Sequence, residues 1–189
     1  MTQQRRRDAA ATRDALLKAA LTRFMRLGYD GTTLRDVAAD VGVNLALIKR
    51  YFDSKEGLFK AALAASPQVE VPPDRDALAA MLSRQLSADA WPDFDEHPVL
   101  LLLRASEDAN VDALRRQALT EFSQRMLAAT GAAEDDDHML RAQLMVAFGI
   151  GVAVVRNATG LQPLGDATSD ELVGPIRDVL DALLGMPNA

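Results

Sequence analysis

Thr33-Leu34-Arg35-Asp36-Val37-Ala38-Ala39-Asp40-Val41-Gly42-Val43-Asn44-Leu45-Ala46-Leu47-Ile48-Lys49-Arg50-Tyr51-Phe52 is the stretch on which the reading of this chain turns. Leu34, Val37, Ala38 and Val41 recur at i, i+3, i+4 and i+7, one apolar stripe of a short helix. Thr33 offers an N-cap hydroxyl, and Asp36 three residues on completes a capping-box pattern. Gly42 permits a tight turn, because a residue without Cβ enters the left-handed region freely. Asn44 is a second N-cap and opens a helix to about Phe52, with Val43, Ile48 and Phe52 directed inward. Two short helices about a glycine turn read as a helix-turn-helix unit, a geometry that ordinary helical hairpins share.

Upstream, Leu17, Ala20, Leu21 and Phe24 predict a first helix from about Asp8 to Leu27, stopped by Gly28. Arg5, Arg6 and Arg7 then precede it as a basic arm. Downstream, Asp53 and Glu56 form a capping pair that opens a fourth helix, Lys55 to Ala65. Ser66 to Pro73 holds three prolines and no helical period, which sets the expected boundary between domains 1–65 and 66–189. Five further helices are expected: Asp74 to Ala88, Val99 to Asp108, Asn110 to Thr130, Asp135 to Ala158, and one capped at Thr168 that ends at Leu184. No stretch alternates as a strand would. The expected fold is all-α, about nine helices, with a small N-terminal helix-turn-helix bundle and a larger helical domain behind it.

Composition narrows the function classes. Of 189 residues, 49% are hydrophobic and 25% charged, as in soluble globular chains, and there is no cysteine for a disulfide or thiolate site. Residues 1–65 carry 12 Lys and Arg against 7 Asp and Glu, a net +5. Residues 66–189 carry 9 against 20, a net −11, and the two recover the overall −6. A basic head on an acidic body suits a chain in which only the head is drawn to phosphate. The longest apolar run, Leu144 to Val155, falls short of the ~20 residues that cross a bilayer, so a cytoplasmic protein is expected. Gly149-Ile150-Gly151 lacks a preceding strand and a third glycine, which argues against a nucleotide loop. The acidic run Glu134 to Asp137 beside His138 reads as helix-start charge rather than as a metal site. No catalytic constellation emerges, and no enzyme activity, metal or cofactor is expected.

Residues 13–63 resemble the DNA-binding domain of the TetR family of regulators. The match runs through Thr12-Arg13, Phe24 to Gly28-Tyr29, Thr32-Thr33, Gly42-Val43 and Tyr51-Phe52-Asp53-Ser54-Lys55-Glu56-Gly57-Leu58, in order and without a gap. The resemblance implies a homodimer that reads double-stranded operator DNA, with Thr33 and Lys55 on phosphates and Tyr51 at the groove edge. It also implies that Asn44, Leu45, Ala46, Lys49 and Arg50 face the DNA, and Arg35 is counted with them. Lys49 stands where the family usually has Tyr, so it either replaces an aromatic phosphate contact or reaches guanine. Leu45 is open to two readings, a thymine methyl contact or core, whereas Leu47 reads as core.

Arg141 to Leu164, with Arg156-Asn157-Ala158 and Leu161-Gln162-Pro163-Leu164, resembles the C-terminal domain of actinobacterial TetR-type regulators. That implies dimerisation through the last two helices, where Ala142, Gly149, Ala153, Ile176, Val179, Leu180 and Leu183 are the expected interface. It also implies an unidentified small-molecule effector among the helices of the second domain. Trp91, Phe94, Arg104, Phe122, Met126, Met145 and Phe148 are the pocket candidates, and an apolar pocket with few polar anchors favours a hydrophobic or amphipathic ligand. The alternative is a ligand-independent DNA-binding protein with an architectural or cell-division role.

Overall fold

A computed structural model describes residues 2–65, 70–72, 74–87, 90, 97–104, 106–133 and 135–185, with the backbone alone for 2–7. Among them are nine α-helices and no strand: α1 (Thr2–Leu27), α2 (Leu34–Val41), α3 (Leu45–Phe52), α4 (Lys55–Ala65), α5 (Arg75–Leu86), α6 (Val99–Leu103), α7 (Ala109–Thr130), α8 (Asp136–Thr159) and α9 (Ser169–Leu184). The all-α expectation holds.

Local side-chain chemistry sets most helix ends. Asn44, Asp74, Asp135 and Thr168 each accept a backbone N–H in the first turn that follows them. Thr168 and Glu171 form a full capping box, the carboxylate accepting the Thr168 N–H at 2.9 Å. Thr33 and Asp36 form only half of one: Thr33 Oγ1 accepts the Asp36 N–H at 3.2 Å, while the carboxylate takes the Thr33 hydroxyl at 2.6 Å. Asp is one methylene shorter than Glu and meets the hydroxyl before the backbone.

Three expected elements differ. Helix α1 begins at Thr2, so Arg5, Arg6 and Arg7 lie on helical backbone; Gln and Arg are good helix formers and nothing among them breaks the run. At the α3–α4 turn the N-cap is Ser54, whose Oγ accepts the Gly57 N–H at 2.9 Å, because Asp53 is spent as the C-cap of α3, its N–H donating to the Lys49 carbonyl at a positive φ of 68°. Helix α6 stops at Leu103 instead of near Asp108. Ser106 Oγ accepts the Asp108 N–H, Asp108 accepts the Asn110 and Val111 N–H groups, and these local bonds start α7 instead of extending α6.

By packing, the chain forms two compact units, Met1–Gln68 with Asp95–Arg116, and Val69–Phe94 with Gln117–Ala189. Residues 95–116 therefore cluster with the N-terminal helices rather than with the remainder of the expected second domain. Buried Val99, Leu100 and Leu101 of α6, packed against α1, account for this. The proline-rich boundary itself falls largely outside the described residues.

The first unit is built on a three-ring cluster. Phe24 and Phe59 meet edge to face at 5.1 Å, Tyr29 meets Phe59 at 5.4 Å, and Leu16, Ala20, Ile48 and Leu58 close the core around them. In α1 the buried stripe is Leu16, Ala20 and Phe24, with Leu17 and Leu21 half-buried, so the helix is turned slightly from the expected face. The second unit packs α5 against α9 and both against α8, around Leu78, Leu82, Met145, Ile176 and Leu180. Arg156, 5% exposed, donates to the Leu86, Gly165 and Ala167 carbonyls and ties α8 to the end of α5 and to the turn before α9.

Candidate nucleic-acid interface

Helix α3 has two faces. Ile48 and Phe52 are buried in the first unit, while Ala46, Lys49 and Arg50, at i, i+3 and i+4, are exposed together on the other side. Asn44 fixes the start of the helix by accepting the Ala46 N–H at 2.8 Å, and Gly42, at φ 69°, turns the chain from α2 into α3. Leu45, Leu47 and Tyr51 are half-buried, so each is shared between the core and the rim of the exposed face. Helix α2 is clamped to α1 by Arg23, which takes both carboxylate oxygens of Asp40, at 2.5 and 2.8 Å. That bond holds the Asp40 carboxyl below its usual pKa.

The expected phosphate contacts fare differently. Thr33 is exposed, but its hydroxyl already donates to Asp36 and accepts from the Asp36 N–H, so a phosphate must compete with Asp36 for it. Arg35 is exposed beside it at the start of α2. Lys55 opens α4, at the end of a helix that favours an anion. Its ammonium lies 4.2 Å from the centroid of the Tyr29 ring. Burial there lowers the Lys55 pKa, against the opposing pull of Asp30 and Asp108. One cation escaped the sequence reading: the guanidinium of Arg13 lies 5.1 Å above the Phe52 ring, which brings α1 charge to the end of α3. Its place in the Thr12-Arg13 motif was the only signal available.

The comparisons with known proteins bear on this head and on the body. Residues 16–62 match the model of the bacterial regulatory proteins of the tetR family, and residues 76–184 match the tetracyclin repressor-like C-terminal domain. The chain belongs to the TetR family. That family is one of DNA-binding transcription regulators, not of enzymes. The biofilm operon negative regulator IcaR of Staphylococcus aureus is 37% identical over 51 residues, which is 27% of this chain and 27% of that relative. A TetR-family regulator from Cytophaga hutchinsonii shares the fold at TM-score 0.68, with 16% identity over 93% of this chain and 96% of its own. AibR, solved with isovaleryl coenzyme A and operator DNA, shares it at TM-score 0.58, with 14% identity over 93% and 100%.

Of the residues expected to form the effector pocket, four of the described ones lie in the second unit. Met126 and Met145 are 1% exposed in the core of the second unit, with Phe122 and Phe148 packed half-buried against it. Arg104 belongs to the first unit, where its side chain covers Gly28 at the end of α1. Trp91 and Phe94 lie outside the described residues. A cavity of about 690 Å³ opens elsewhere in the second unit, between Glu121, Gln124 and Arg125 of α7 and Asp135, Asp136 and Met139 at the start of α8.

Among the expected dimer residues, Ala142, Ala153, Ile176 and Leu180 are no more than 3% exposed within one chain, so they serve its own core. Val179, Leu183 and Gly149 are half-buried. What α8 leaves exposed is Leu140, Leu144, Ala147, Gly151 and Val155, spaced as one helical face. By length and hydropathy α8 would also suit a bilayer, yet its other face closes the core of the second unit. Among the described residues no cluster has the makeup of a metal site.

Proposed function

We propose that the chain is a repressor that binds an inverted-repeat operator as a homodimer and is released by a small amphipathic effector. The observation that carries this reading is the exposed face of α3, on which Ala46, Lys49 and Arg50 stand together beside the Lys55 start of α4. A helix presenting a methyl group and two long cations is equipped to touch base edges, while Lys55 adds a phosphate contact that sets register. Thr33, Arg35, Asn44 and Tyr51 flank that face. One short helix reads only a few base pairs, so two heads on a pseudo-palindrome are needed for useful specificity. The exposed apolar face of α8 supports a second copy as its cover, with Val179 and Leu183 of α9 alongside. The mixed lining of the cavity, Leu127, Ala128 and Met139 beside Glu121, Arg125 and Asp135, favours an amphipathic ligand over a purely apolar one. AibR provides an example of this fold carrying both a small acyl thioester and operator DNA. A protein that works on the chromosome of a bacterium acts in its cytoplasm.

Salt-dependent binding to operator and to random duplex tests the reading. Lys55→Ala is expected to weaken both by the same factor and to lower the log–log salt slope by ~0.9 per subunit. Lys49→Ala and Arg50→Ala are expected to erode the preference for operator by ~1–3 kcal/mol for whichever of them makes a bidentate base contact. Operator preference that survives the Lys49 and Arg50 substitutions together would overturn the assignment of α3 as the reading helix.

A further inference from the structure

A lysine side chain is a flexible four-carbon stem tipped by a compact charge, so holding it on one phosphate costs rotamer entropy. Lys55 has part of that ordering built in. Its ammonium lies 4.2 Å from the centroid of the Tyr29 ring, close enough for the negative face of the π-system to attract it. The ring itself is locked in the core of the first unit. Tyr29 is 7% exposed, lies near-parallel to Phe24 at 6.0 Å and meets Phe59 edge to face at 5.4 Å. Lys55 is half-buried beside it and makes no ion pair among the described residues, so the ring is the contact that seats the charge.

We propose that Tyr29 is a positioning residue for DNA binding: its ring seats the Lys55 ammonium at the N-terminus of α4 before a phosphate arrives and keeps it there in the complex. A ring face takes up one side of an ammonium and leaves N–H donors on the other side for phosphate oxygens. Ring, ammonium and phosphate then stack in that order, and the helix end favours the same anion. Without the platform, Lys55 spreads over rotamers that miss the phosphate, and apparent affinity falls with the fraction that stays competent. This rests on the reading of Lys55 as a phosphate contact, and the test separates the two.

The experiment weakens the face of the ring while keeping its shape, since fluorine withdraws the π density that attracts a cation. Full-length protein carrying Tyr29→Phe, and then a difluorinated and a trifluorinated phenylalanine at the same position, is titrated against random duplex DNA. Each is measured from about 50 to about 200 mM NaCl, with Lys55 and with Lys55→Ala. From Tyr29→Phe to the trifluorinated ring, affinity is expected to fall stepwise by about two- to fivefold per head, the weight of one partly exposed cation–π contact. The salt slope should stay constant along the series, because Lys55 still displaces its counterion, whereas Lys55→Ala lowers it by ~0.9 per subunit. In the Lys55→Ala background the series should be flat, which a loss of core packing could not produce. A second readout uses the wild-type chain, so it decides even if a variant misfolds. Ring current should move the Lys55 ε-methylene protons upfield of those of Lys18, Lys49 and Lys60, and the shift should persist when duplex DNA is bound. If Lys55→Ala weakens binding but fluorination does not, the platform is refuted while the phosphate contact stands. Affinity that rises with fluorination, or an upfield shift that is absent or collapses on DNA binding, refutes it as well, because the ring then competes with phosphate or never holds the lysine. A series equally steep with and without Lys55 assigns the effect to ring packing and also refutes it. If Lys55→Ala alone changes neither affinity nor salt slope, both the contact and the platform fall.

Discussion

Replacing Arg156 by Met should cost more than any other single change in the second unit that leaves its apolar core intact. The guanidinium is 5% exposed and donates to three carbonyls, those of Leu86, Gly165 and Ala167. Hydrogen bonds to a charged group are worth ~1.5–3 kcal/mol each. Their sum overstates the loss, since Met returns the cost of burying the cation and the three bonds share one group. About 3–5 kcal/mol remains. At ~2–4 °C per kcal/mol for a chain of this length, Tm should fall by roughly 6–20 °C. Arg156→Lys should recover little, because a point ammonium cannot replace a planar fork that reaches three acceptors. Arg177→Ala is the control: Arg177 Nε lies 2.8 Å from an Asp76 carboxylate oxygen but is not aligned as a hydrogen bond, and both side chains are exposed. That pair is worth at most about 1 kcal/mol. Thermal melts followed by circular dichroism, with urea midpoints at constant m-value, provide the comparison. An Arg156→Met loss no larger than that of Arg177→Ala would refute the reasoning.

Gly57→Ala should destabilise the head by at least about 2 kcal/mol, since a Cβ there collides with the Phe52 carbonyl; helix propensity alone predicts a gain of about 1 kcal/mol, so the sign of the urea midpoint shift decides. His97 accepts the Val99 N–H on Nδ1 at 3.1 Å, and burial lowers its pKa from 6.5 to about 4. The unfolded chain therefore takes the proton first, so the contribution of His97 to stability is complete above pH 6.5 and is lost as pH falls from there through 4; a Tm–pH curve unflattened in that window by His97→Asn would count against it. Leu144→Glu, at a position 48% exposed in one chain, should leave helicity unchanged and shift sedimentation from dimer to monomer, and a dimer that persists would remove the α8 face from the proposed interface.

Most of the helices, the caps at Asn44, Asp74 and Thr168 and the Gly42 turn were legible in the sequence because they depend on residues within four positions of each other. Asn44 caps α3 and Thr168 pairs with Glu171 whatever surrounds them. The exposed face of α3 followed from the same period once Ile48 and Phe52 were placed inside. The shortened α6 was not legible: Asp30, far back in the chain, holds Ser106 and Glu107 in the loop that replaces its last turn.

Sequence by itself determined an all-α chain, its helix-turn-helix, the family and the cations of α3, since periodicity, caps and charge are properties of neighbours along the chain. Tertiary structure alone decided which side of α8 turns inward. That helix is apolar nearly all round and has no preferred face until α5 and α9 pack on Ala142, Met145 and Ala153, which leaves Leu140, Leu144 and Val155 outside. The surroundings of Lys55 were settled in the same way, because the Tyr29 ring reaches its ammonium only when the turn after α1 and the start of α4 are folded together. Charge and burial act across space, and spacing along the chain carries no record of them.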